Sequence, residues 1–273
     1  AQPNISSSKI EQMQITLPPL QEQQEIVAKI EELFSELEKG KEELLTAQAK
    51  LKTYRQSLLK SAFEGRLTNE NLKDDELPKG WEVRKLGEVA KNKSKKVIPA
   101  DYPDAKFIGM DCIEPHTLKP KFTYKFGEFK STGNYFERGQ VLYGRMRPYL
   151  NKVYKTEYEG ACSGEFIVLQ CAENFYPNLL SYILHSNDFV SYANHKTNGD
   201  RPRISYEEIS DYPIALAPLP EQQKIVAILE SKLTICDQLE ETINASLKQV
   251  ETLRQGILKK AFEGKLINKK NVR

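Results

Sequence analysis

The stretch Leu17-Pro-Pro-Leu-Gln-Glu-Gln-Gln-Glu-Ile-Val-Ala28 decides the fold, because the chain contains it twice. It returns as Leu216-Ala-Pro-Leu-Pro-Glu-Gln-Gln-Lys-Ile-Val-Ala227. A second matching pair lies downstream, where Ala-Phe-Glu-Gly occurs at 62–65 and again at 261–264. Both pairs are separated by the same 199 residues, so the two copies align without a gap. The sequence therefore predicts one structural element used twice, with a different segment between the copies.

Each copy predicts a long amphipathic helix. Pro19 and Glu22 suit a first helical turn, because proline needs no N–H partner and a carboxylate suits the positive end of the helix dipole. Apolar residues then recur every seven positions, which is typical of a coiled-coil seam. Gly65 and Gly264 follow the two seams and are expected to cap the helices. The seam residues are Ile30, Leu37, Leu44, Leu51 and Leu58 in the first copy, and Leu229, Cys236, Ile243, Val250 and Ile257 in the second.

The two helices are expected to pair in an antiparallel arrangement. Each spans roughly 45 residues, which corresponds to about 65 Å. The segment between them has about 140 residues and should be less than about 40 Å across as a compact domain. This segment joins the end of the first helix to the start of the second. Only antiparallel helices bring those two points together.

The central segment predicts a compact domain with many short strands, and the whole chain is therefore of the α+β class. A polar linker at 69–80 precedes it, with Pro78 and Gly80 as breakers. Two helices are expected, around 86–90 and 177–186. The strand candidates are rich in aromatic and β-branched residues. They lie at 107–110, 122–124, 140–143, 151–154 and 166–169.

Composition restricts the class of protein and of site. Hydrophobic residues make up 39% and charged residues 29% of the 273 residues, without an apolar run long enough to span a bilayer and without a secretory signal pattern. The four cysteines are scattered and only three histidines are present. The sequence therefore predicts a protein of the reducing cytoplasm without membrane association, zinc site, disulfide or cofactor.

Basic residues are concentrated in the first half of the central segment. Residues 84–155 contain 16 Lys and Arg against 7 Asp and Glu, whereas residues 156–216 contain 3 against 9. Such asymmetry predicts a basic face that binds phosphates. Three loops supply the candidates, at 91–96, at 145–152 and at 194–203, and Lys121 lies in the same basic segment. The predicted DNA-binding residues are Lys93, Lys95, Lys96, Lys121, Arg145, Arg147, Tyr149, Asn151, Lys152, Lys196, Arg201 and Arg203.

Three alternatives remain open on these residues. The hairpin around Arg145 could be an ordinary solvated surface with Tyr149 packed inward. Pro103-Asp104 followed by Glu128-Phe129-Lys130 resembles the carboxylate and lysine pattern of metal-dependent nucleases. The chain could also be a scaffold whose strand-rich domain binds another protein.

Taken together, these motifs resemble the specificity subunit of type I restriction–modification enzymes. The resemblance rests on the repeated Leu-x-Pro-Leu-x-Glu-Gln-Gln stretches and the two Ala-Phe-Glu-Gly ends. It also rests on Leu77-Pro-Lys-Gly-Trp-Glu-Val83, on Lys85-Leu-Gly-Glu-Val89, on Gly139-Gln-Val-Leu-Tyr-Gly-Arg-Met-Arg-Pro-Tyr-Leu150 and on Arg201-Pro-Arg-Ile-Ser205. It covers essentially the whole chain.

The resemblance implies a non-catalytic subunit that recognises DNA. Residues 69–215 would read one half of a split double-stranded target, and the helices at 17–68 and 216–268 would set the half-site spacing. The helices would also dock methyltransferase and endonuclease subunits. Residues 1–16 would be the remnant of a preceding recognition domain, so that a second copy of the chain or the missing half is a further expected partner.

Overall fold

The computed structural model describes residues 10–12, 14–69, 71–73 and 76–267. Most of the predicted remnant at 1–16 lies outside the described residues. The chain divides into two compact units, Thr53–Ile235 and the combination of Ala1–Lys52 with Cys236–Arg273. Among the described residues, no helix is both long enough and apolar enough to cross a membrane.

Secondary structure follows the predicted order of helix, strand-rich segment and helix. The helices after residue 19 are α1 (Leu20–Phe63), α2 (Leu86–Val89), α3 (Pro177–His185), α4 (Asn187–His195), α5 (Tyr206–Ser210) and α6 (Leu219–Phe262). The strands are β1 (Glu82–Lys85), β2 (Ala90–Asn92), β3 (Lys95–Val97), β4 (Lys106–Ile108), β5 (Tyr124–Lys125), β6 (Gly133–Phe136), β7 (Val141–Gly144), β8 (Val153–Lys155), β9 (Gly160–Cys162), β10 (Phe166–Cys171) and β11 (Pro213–Leu216). The α+β class is confirmed.

The helical unit contains an antiparallel pair. Gln48 Nε2 donates to Asn244 Oδ1 at 3.0 Å, and an Arg254 guanidinium nitrogen donates to Glu38 Oε1 at 3.0 Å. Both pairs of residue numbers sum to 292, which is the signature of helices that run in opposite directions. Arg254 also stacks on the ring of Phe34, one turn away from Glu38. The antiparallel prediction is confirmed.

The seam between these helices is narrower than the heptads predict. The first-position residues Ile30, Leu37, Ile243 and Val250 are half-buried, and Cys236 is fully buried. Several apolar residues that lie three positions after a seam residue are exposed, because a pair of helices covers only one stripe of each. The exposed ones include Ala47, Tyr54, Leu239 and Leu253.

Three sheets build the other unit. β2-β10-β7-β8 is an antiparallel four-stranded sheet, β3-β6-β9-β4-β5 is a five-stranded sheet with β4 and β9 parallel, and β1 pairs with β11. β10 is apolar and buried from Phe166 to Leu169 because both of its faces are covered there. Phe166 and Val168 pack into one core cluster with Leu142, whereas Ile167 and Leu169 face α3 and α4 in a second cluster.

Close packing explains why glycine occupies position 65, after α1, and position 160, at the start of β9. Gly65 follows α1 with a φ of +79° and donates its N–H to the Ala62 carbonyl, as the predicted cap requires. A Cβ on Gly65 would meet Pro78, and a Cβ on Gly160 would meet the Lys106 carbonyl and the Phe136 ring. Both positions therefore exclude larger residues.

Three predicted strands are shorter than expected, and the one predicted at 107–110 covers Lys106–Ile108. The strand predicted at 151–154 begins at Val153, because Asn151 has a φ of +46° and ends a 3₁₀ turn, Pro148–Leu150. The strand predicted at 122–124 covers Tyr124–Lys125. The predicted helices at 86–90 and 177–186 are confirmed as α2 and α3.

Candidate nucleic-acid interface

The predicted basic hairpin ends in a strained 3₁₀ turn. Arg147 and Asn151 flank the turn with φ values of +53° and +46°, and His116 has a φ of +60°. These are the non-glycine residues with positive φ in the part of the chain that the structure describes. The His116 N–H donates to the Leu150 carbonyl at 3.0 Å, so all three lie in one small region. Such conformations cost roughly 1–3 kcal/mol each and cluster at functional sites.

Buried hydrogen bonds hold this turn in place. Asn151 is buried, and its Nδ2 donates to the His185 carbonyl at 2.9 Å. The Leu150 N–H donates to the Arg147 carbonyl at 2.8 Å. Tyr149 at the tip is 45% exposed, so the alternative with Tyr149 packed inward is wrong.

The predicted basic loop at 194–203, which follows α4, forms backbone hydrogen bonds with the hairpin. The Arg147 N–H donates to the Pro202 carbonyl at 2.8 Å, and the Ile204 N–H donates to the Arg145 carbonyl at 3.0 Å. Met146 and Arg203 form an isolated antiparallel bridge between these bonds. The backbone therefore places the 200–204 segment beside the hairpin tip.

The predicted basic loop at 91–96 and Arg145 of the hairpin line one open cleft of about 350 Å³. We call it the Arg145 cleft. It combines two cationic side chains with amide, hydroxyl and carboxylate groups. Its lining consists of Asn92, Ser94, Lys96, Asn134, Arg145, Gly164, Phe166, Ile167, Ser205, Tyr206 and Glu207. Two of the three basic segments thus contribute a cationic side chain to the cleft, and the third ends two residues before Ser205 in its lining.

Arg145 and Arg147 lack internal partners for their guanidinium groups. The Nε atom of each is buried without a hydrogen-bond acceptor among the described residues. Arg203 differs, because Glu165 accepts two hydrogen bonds from its guanidinium, at 3.1 Å and 2.8 Å. This pairing raises the pKa of Arg203 and occupies its donors. Of these three arginines, Arg145 and Arg147 are therefore the two without a hydrogen bond to a carboxylate in the described structure.

Of the remaining predicted lysines, four are exposed, whereas Lys121 forms an ion pair with a carboxylate. Lys93, Lys95, Lys96 and Lys196 are exposed, and Lys196 lies over the Tyr192 ring. Lys121 pairs with Glu114 at 2.8 Å, a contact that raises the pKa of Lys121.

Two further predicted residues are turned toward the protein. Lys152 Nζ donates to the Met110 carbonyl at 2.6 Å, and burial lowers the pKa of Lys152. The Asn151 side chain is committed to His185, so it is placed to hold the turn. Arg201 is exposed in the loop before Pro202.

Sequence reasoning missed the polar residues between the basic ones. Asn134 is buried, and its Nδ2 donates to the Phe166 carbonyl at 3.2 Å. Glu207 lies at the start of α5, where Ser205 and Glu208 form a capping box. The Ser-x-x-Glu spacing at 205–208 is a sequence signal that could have located this helix start.

The residues of the nuclease-like pattern lie apart from the cleft. The Asp104 side chain is 92% exposed, and its carboxylate lies 3.8 Å from Lys125 Nζ. The described residues contain no group of three or more His, Cys, Asp or Glu placed to hold a metal ion.

Comparison with known proteins places the chain among proteins of similar sequence and fold. The family model for the type I restriction modification DNA specificity domain matches residues 1–47 and 78–249. The EcoDI specificity subunit, from a type I restriction enzyme of Escherichia coli, is 29% identical over 289 residues. That alignment covers 97% of this chain and 65% of the relative.

Two solved structures share the fold. A chain from a structural study of complex assembly and conformational transition of the type I R-M system matches with a TM-score of 0.76 at 22% identity, over 97% of this chain and 65% of that one. The HsdS subunit from Thermoanaerobacter tengcongensis matches with a TM-score of 0.59 at 23% identity, over 97% and 64%. The chain thus spans less than two thirds of the length of these relatives. Because the family model covers most of its residues, the chain belongs to the type I restriction modification DNA specificity domain family.

Proposed function

We propose that the strand-rich domain reads one half of a bipartite double-stranded DNA target. The observation that carries this proposal is the convergence of three basic segments on one surface, where the guanidinium groups of Arg145 and Arg147 form no hydrogen bond to another described residue. Unpaired arginines on a rigid surface suit DNA, because arginine binds both phosphates and guanine edges. The family relationship supports the same reading.

Arg147 and Tyr149 are the side chains that we expect to reach base edges. They lie on the strained 3₁₀ turn, whose backbone is held by the buried Asn151. A turn fixed in this way presents side chains with little loss of conformational freedom on binding. Lys93, Lys95, Lys196 and Arg201 are exposed around it and suit the neutralisation of backbone phosphates.

The long helices are proposed to set the distance between two DNA half-sites and to dock methyltransferase and endonuclease subunits. The antiparallel pair in the helical unit supplies a rigid spacer, and a fixed distance between two readers translates into a fixed half-site spacing. In this proposal the chain is itself non-catalytic, and methylation and cleavage belong to those partner subunits.

A second recognition domain is proposed to cover the start of the first repeat. Leu17 and Val27 are 74% and 52% exposed, whereas their equivalents Leu216 and Val226 are 7% and 2% exposed. The equivalents pack into the core of the strand-rich domain. Gln23 Nε2 donates to the Pro18 carbonyl just as Gln222 Nε2 donates to that of Ala217, so both copies start with the same local geometry. A domain of the same fold is the occupant that matches this surface.

Substitution of Arg147 tests the DNA-reading proposal. Arg147→Ala is expected to weaken duplex binding and to relax selectivity at one base position, by about 1–3 kcal/mol if the arginine pairs with a base. Arg138→Ala is the matched control, because Arg138 is an exposed arginine at the other end of β7. Equal losses in the two variants, without a change in selectivity, would contradict a base-reading role for Arg147.

A further inference from the structure

The Arg145 cleft has the charge balance of an anion site. Lys96 and Arg145 contribute two positive charges, and Glu207 contributes one negative charge. The Glu207 carboxylate is already engaged, since hydrogen bonds from its own N–H and from the Ser205 hydroxyl hold its pKa low, with help from the charge of Arg145. The cleft therefore keeps an excess of one positive charge and few free acceptors.

Arg145 is held rigidly at this position. Its N–H donates to the Glu165 carbonyl at 2.9 Å, and its own carbonyl accepts from the Ile204 N–H at 3.0 Å. These bonds fix the backbone on both sides of the residue. The Nε atom nevertheless has no acceptor within the described structure, although it is buried. Because Nε is buried, an external acceptor would be bound by the two terminal guanidinium nitrogens, which form no hydrogen bond to another described residue.

The other polar groups of the cleft are mostly satisfied internally. Asn92 Oδ1 accepts from both the N–H and the hydroxyl of Ser94, and the Ser94 hydroxyl oxygen accepts from the Val168 N–H. The Tyr206 hydroxyl donates to the Ala90 carbonyl, and Phe166 is 1% exposed. A base edge needs acceptors as well as donors, and an unstacked base needs an aromatic face. The free groups here are cationic donors.

We propose that the Arg145 cleft binds a phosphodiester of the DNA backbone, held by Arg145 and Lys96. Arg145 is then a positioning contact, while sequence is read elsewhere on the same surface. This inference rests on the proposed DNA-reading function and assigns one contact within it.

The salt dependence of binding to a mixed-sequence duplex tests this assignment on the full chain. Each phosphate contact contributes about −0.9 to the slope of log Kobs against log salt concentration. Arg145→Ala should therefore make the slope shallower by about 0.9 and weaken binding roughly ten- to a hundredfold at low salt, the range for a hydrogen bond to a charged group. Arg145→Lys should retain the slope, because it keeps the charge. The rank order of preferred sequences should stay unchanged.

Two further variants protect the test against a folding defect. Lys96→Ala changes an exposed side chain and should also make the slope shallower by about 0.9. Glu207→Gln removes the negative charge from the cleft and should tighten binding a few-fold, by roughly the strength of one partly screened charge pair. Arg138→Ala, at the other end of β7, should leave both affinity and slope near those of the wild type.

The outcomes separate the inference from the function on which it rests. If the wild-type chain binds duplex DNA with a salt-dependent affinity but Arg145→Ala and Lys96→Ala keep its slope, the phosphate assignment is overturned. A changed order of preferred sequences in Arg145→Ala would also overturn it, in favour of base reading. Stabilisation of the wild type by inorganic phosphate without any effect of these variants on DNA binding would indicate a site for free anions instead. Absence of salt-dependent duplex binding by the wild type would overturn the proposed function itself.

Discussion

Gln222 joins the second long helix to the strand-rich domain through three hydrogen bonds. Its Oε1 accepts from the Tyr176 N–H at 2.8 Å, and its Nε2 donates to the carbonyls of Asn174 and Ala217 at 3.0 and 2.7 Å. The side chain is fully buried. The repeat supplies a natural comparison, because Gln23 is its equivalent and its side chain forms one hydrogen bond among the described residues, to the Pro18 carbonyl.

Gln222→Ala is expected to lower the free energy of unfolding by about 1–3 kcal/mol, since it leaves buried backbone groups without partners. Gln23→Ala should cost less than about 1 kcal/mol. Urea denaturation of both variants measures the difference. Equal costs would show that the hydrogen bonds of Gln222 do not stabilise the domain.

His185 makes stability depend on pH. Burial, with a smaller contribution from the charge of His116, lowers the pKa of His185 to about 4, and its Nδ1 has no hydrogen-bond partner in the described structure. Because the pKa in the unfolded chain is near 6.5, the unfolded chain binds the proton more readily between these values. The free energy of unfolding therefore has its full value above about pH 6.5, where His185 is neutral in both states. It falls by up to about 3 kcal/mol as the pH drops toward 4, because the unfolded chain takes up the proton first.

His185→Gln removes this titration. The variant should lose less stability than the wild type between about pH 7.5 and about pH 5, as measured by urea denaturation at both values. Carboxylates that also titrate in acid remain in both proteins, so the difference isolates the histidine. An identical loss in the two proteins would contradict the assignment.

Single residues show where sequence reasoning stops. Arg145, Arg147 and Arg203 are equivalent as basic loop residues, yet only Arg203 meets a carboxylate, that of Glu165, thirty-eight positions away in the sequence. Lys152 likewise finds its partner, the Met110 carbonyl, 42 positions away in the sequence. The basic face could be predicted from the distribution of charge. Which guanidinium groups lack an acceptor within the described structure depends on tertiary contacts, and it could not be predicted. The assignment of individual residues to DNA stays a prediction.

At the level of elements, apolar patterns predict the long helices and the buried strands, whereas strands rich in charged residues are missed. β10 was predictable from four successive apolar residues, and the long helices from their heptads. β2 and β3 lie where the sequence predicts a basic loop, at 91–96. The hydrophobic pattern misses them because Lys91, Lys95 and Lys96 are exposed on edge strands. Charges on edge strands prevent pairing with other chains, and they also hide the strands from a hydrophobic pattern.

The antiparallel register predicts a specific cross-link. Glu38→Cys combined with Arg254→Cys should react with a short bifunctional thiol reagent, because the native side chains meet at 3.0 Å. The control pair is Glu38→Cys with Asp237→Cys, which parallel helices would bring together. Position 237 lies 17 residues from 254, or about 25 Å along the helix. Cross-linking of the control pair alone would contradict the antiparallel arrangement.

The two starts of the repeat should differ in their contribution to stability. Val226→Ala is expected to cost about 1–3 kcal/mol because Val226 is buried in the core, whereas Val27→Ala at the exposed equivalent should change the unfolding free energy by less than about 0.5 kcal/mol. Chemical denaturation of the chain measures both.

The same pair tests the proposed second recognition domain. In a chain that also carries a preceding recognition domain, Val27→Ala is expected to become as costly as Val226→Ala. A cost that stays near zero there would contradict the proposed docking at the first repeat.

At the scale of the whole molecule, a strand-rich segment lies in the sequence between two copies of one long helix. The strand-rich domain supplies a basic surface with two unpaired arginines, and the helical unit supplies an antiparallel pair built from two copies of one sequence. A repeated spacer suits two readers, which is why we propose a bipartite DNA target. Fold class and family could be predicted from the repeat together with the motifs of the central segment. The DNA target depends on which side chains enter a groove and on the shape of the DNA, neither of which follows from residue patterns.

Selection of bound duplexes from a random-sequence library tests the central claim most directly. The chain, assembled with methyltransferase subunits of a type I system, should enrich a short defined sequence, and Arg147→Ala should relax the preference at one position while Arg138→Ala leaves it intact. Recovery of sequences indistinguishable from the starting library, at equal affinity, would contradict the account that this domain reads DNA.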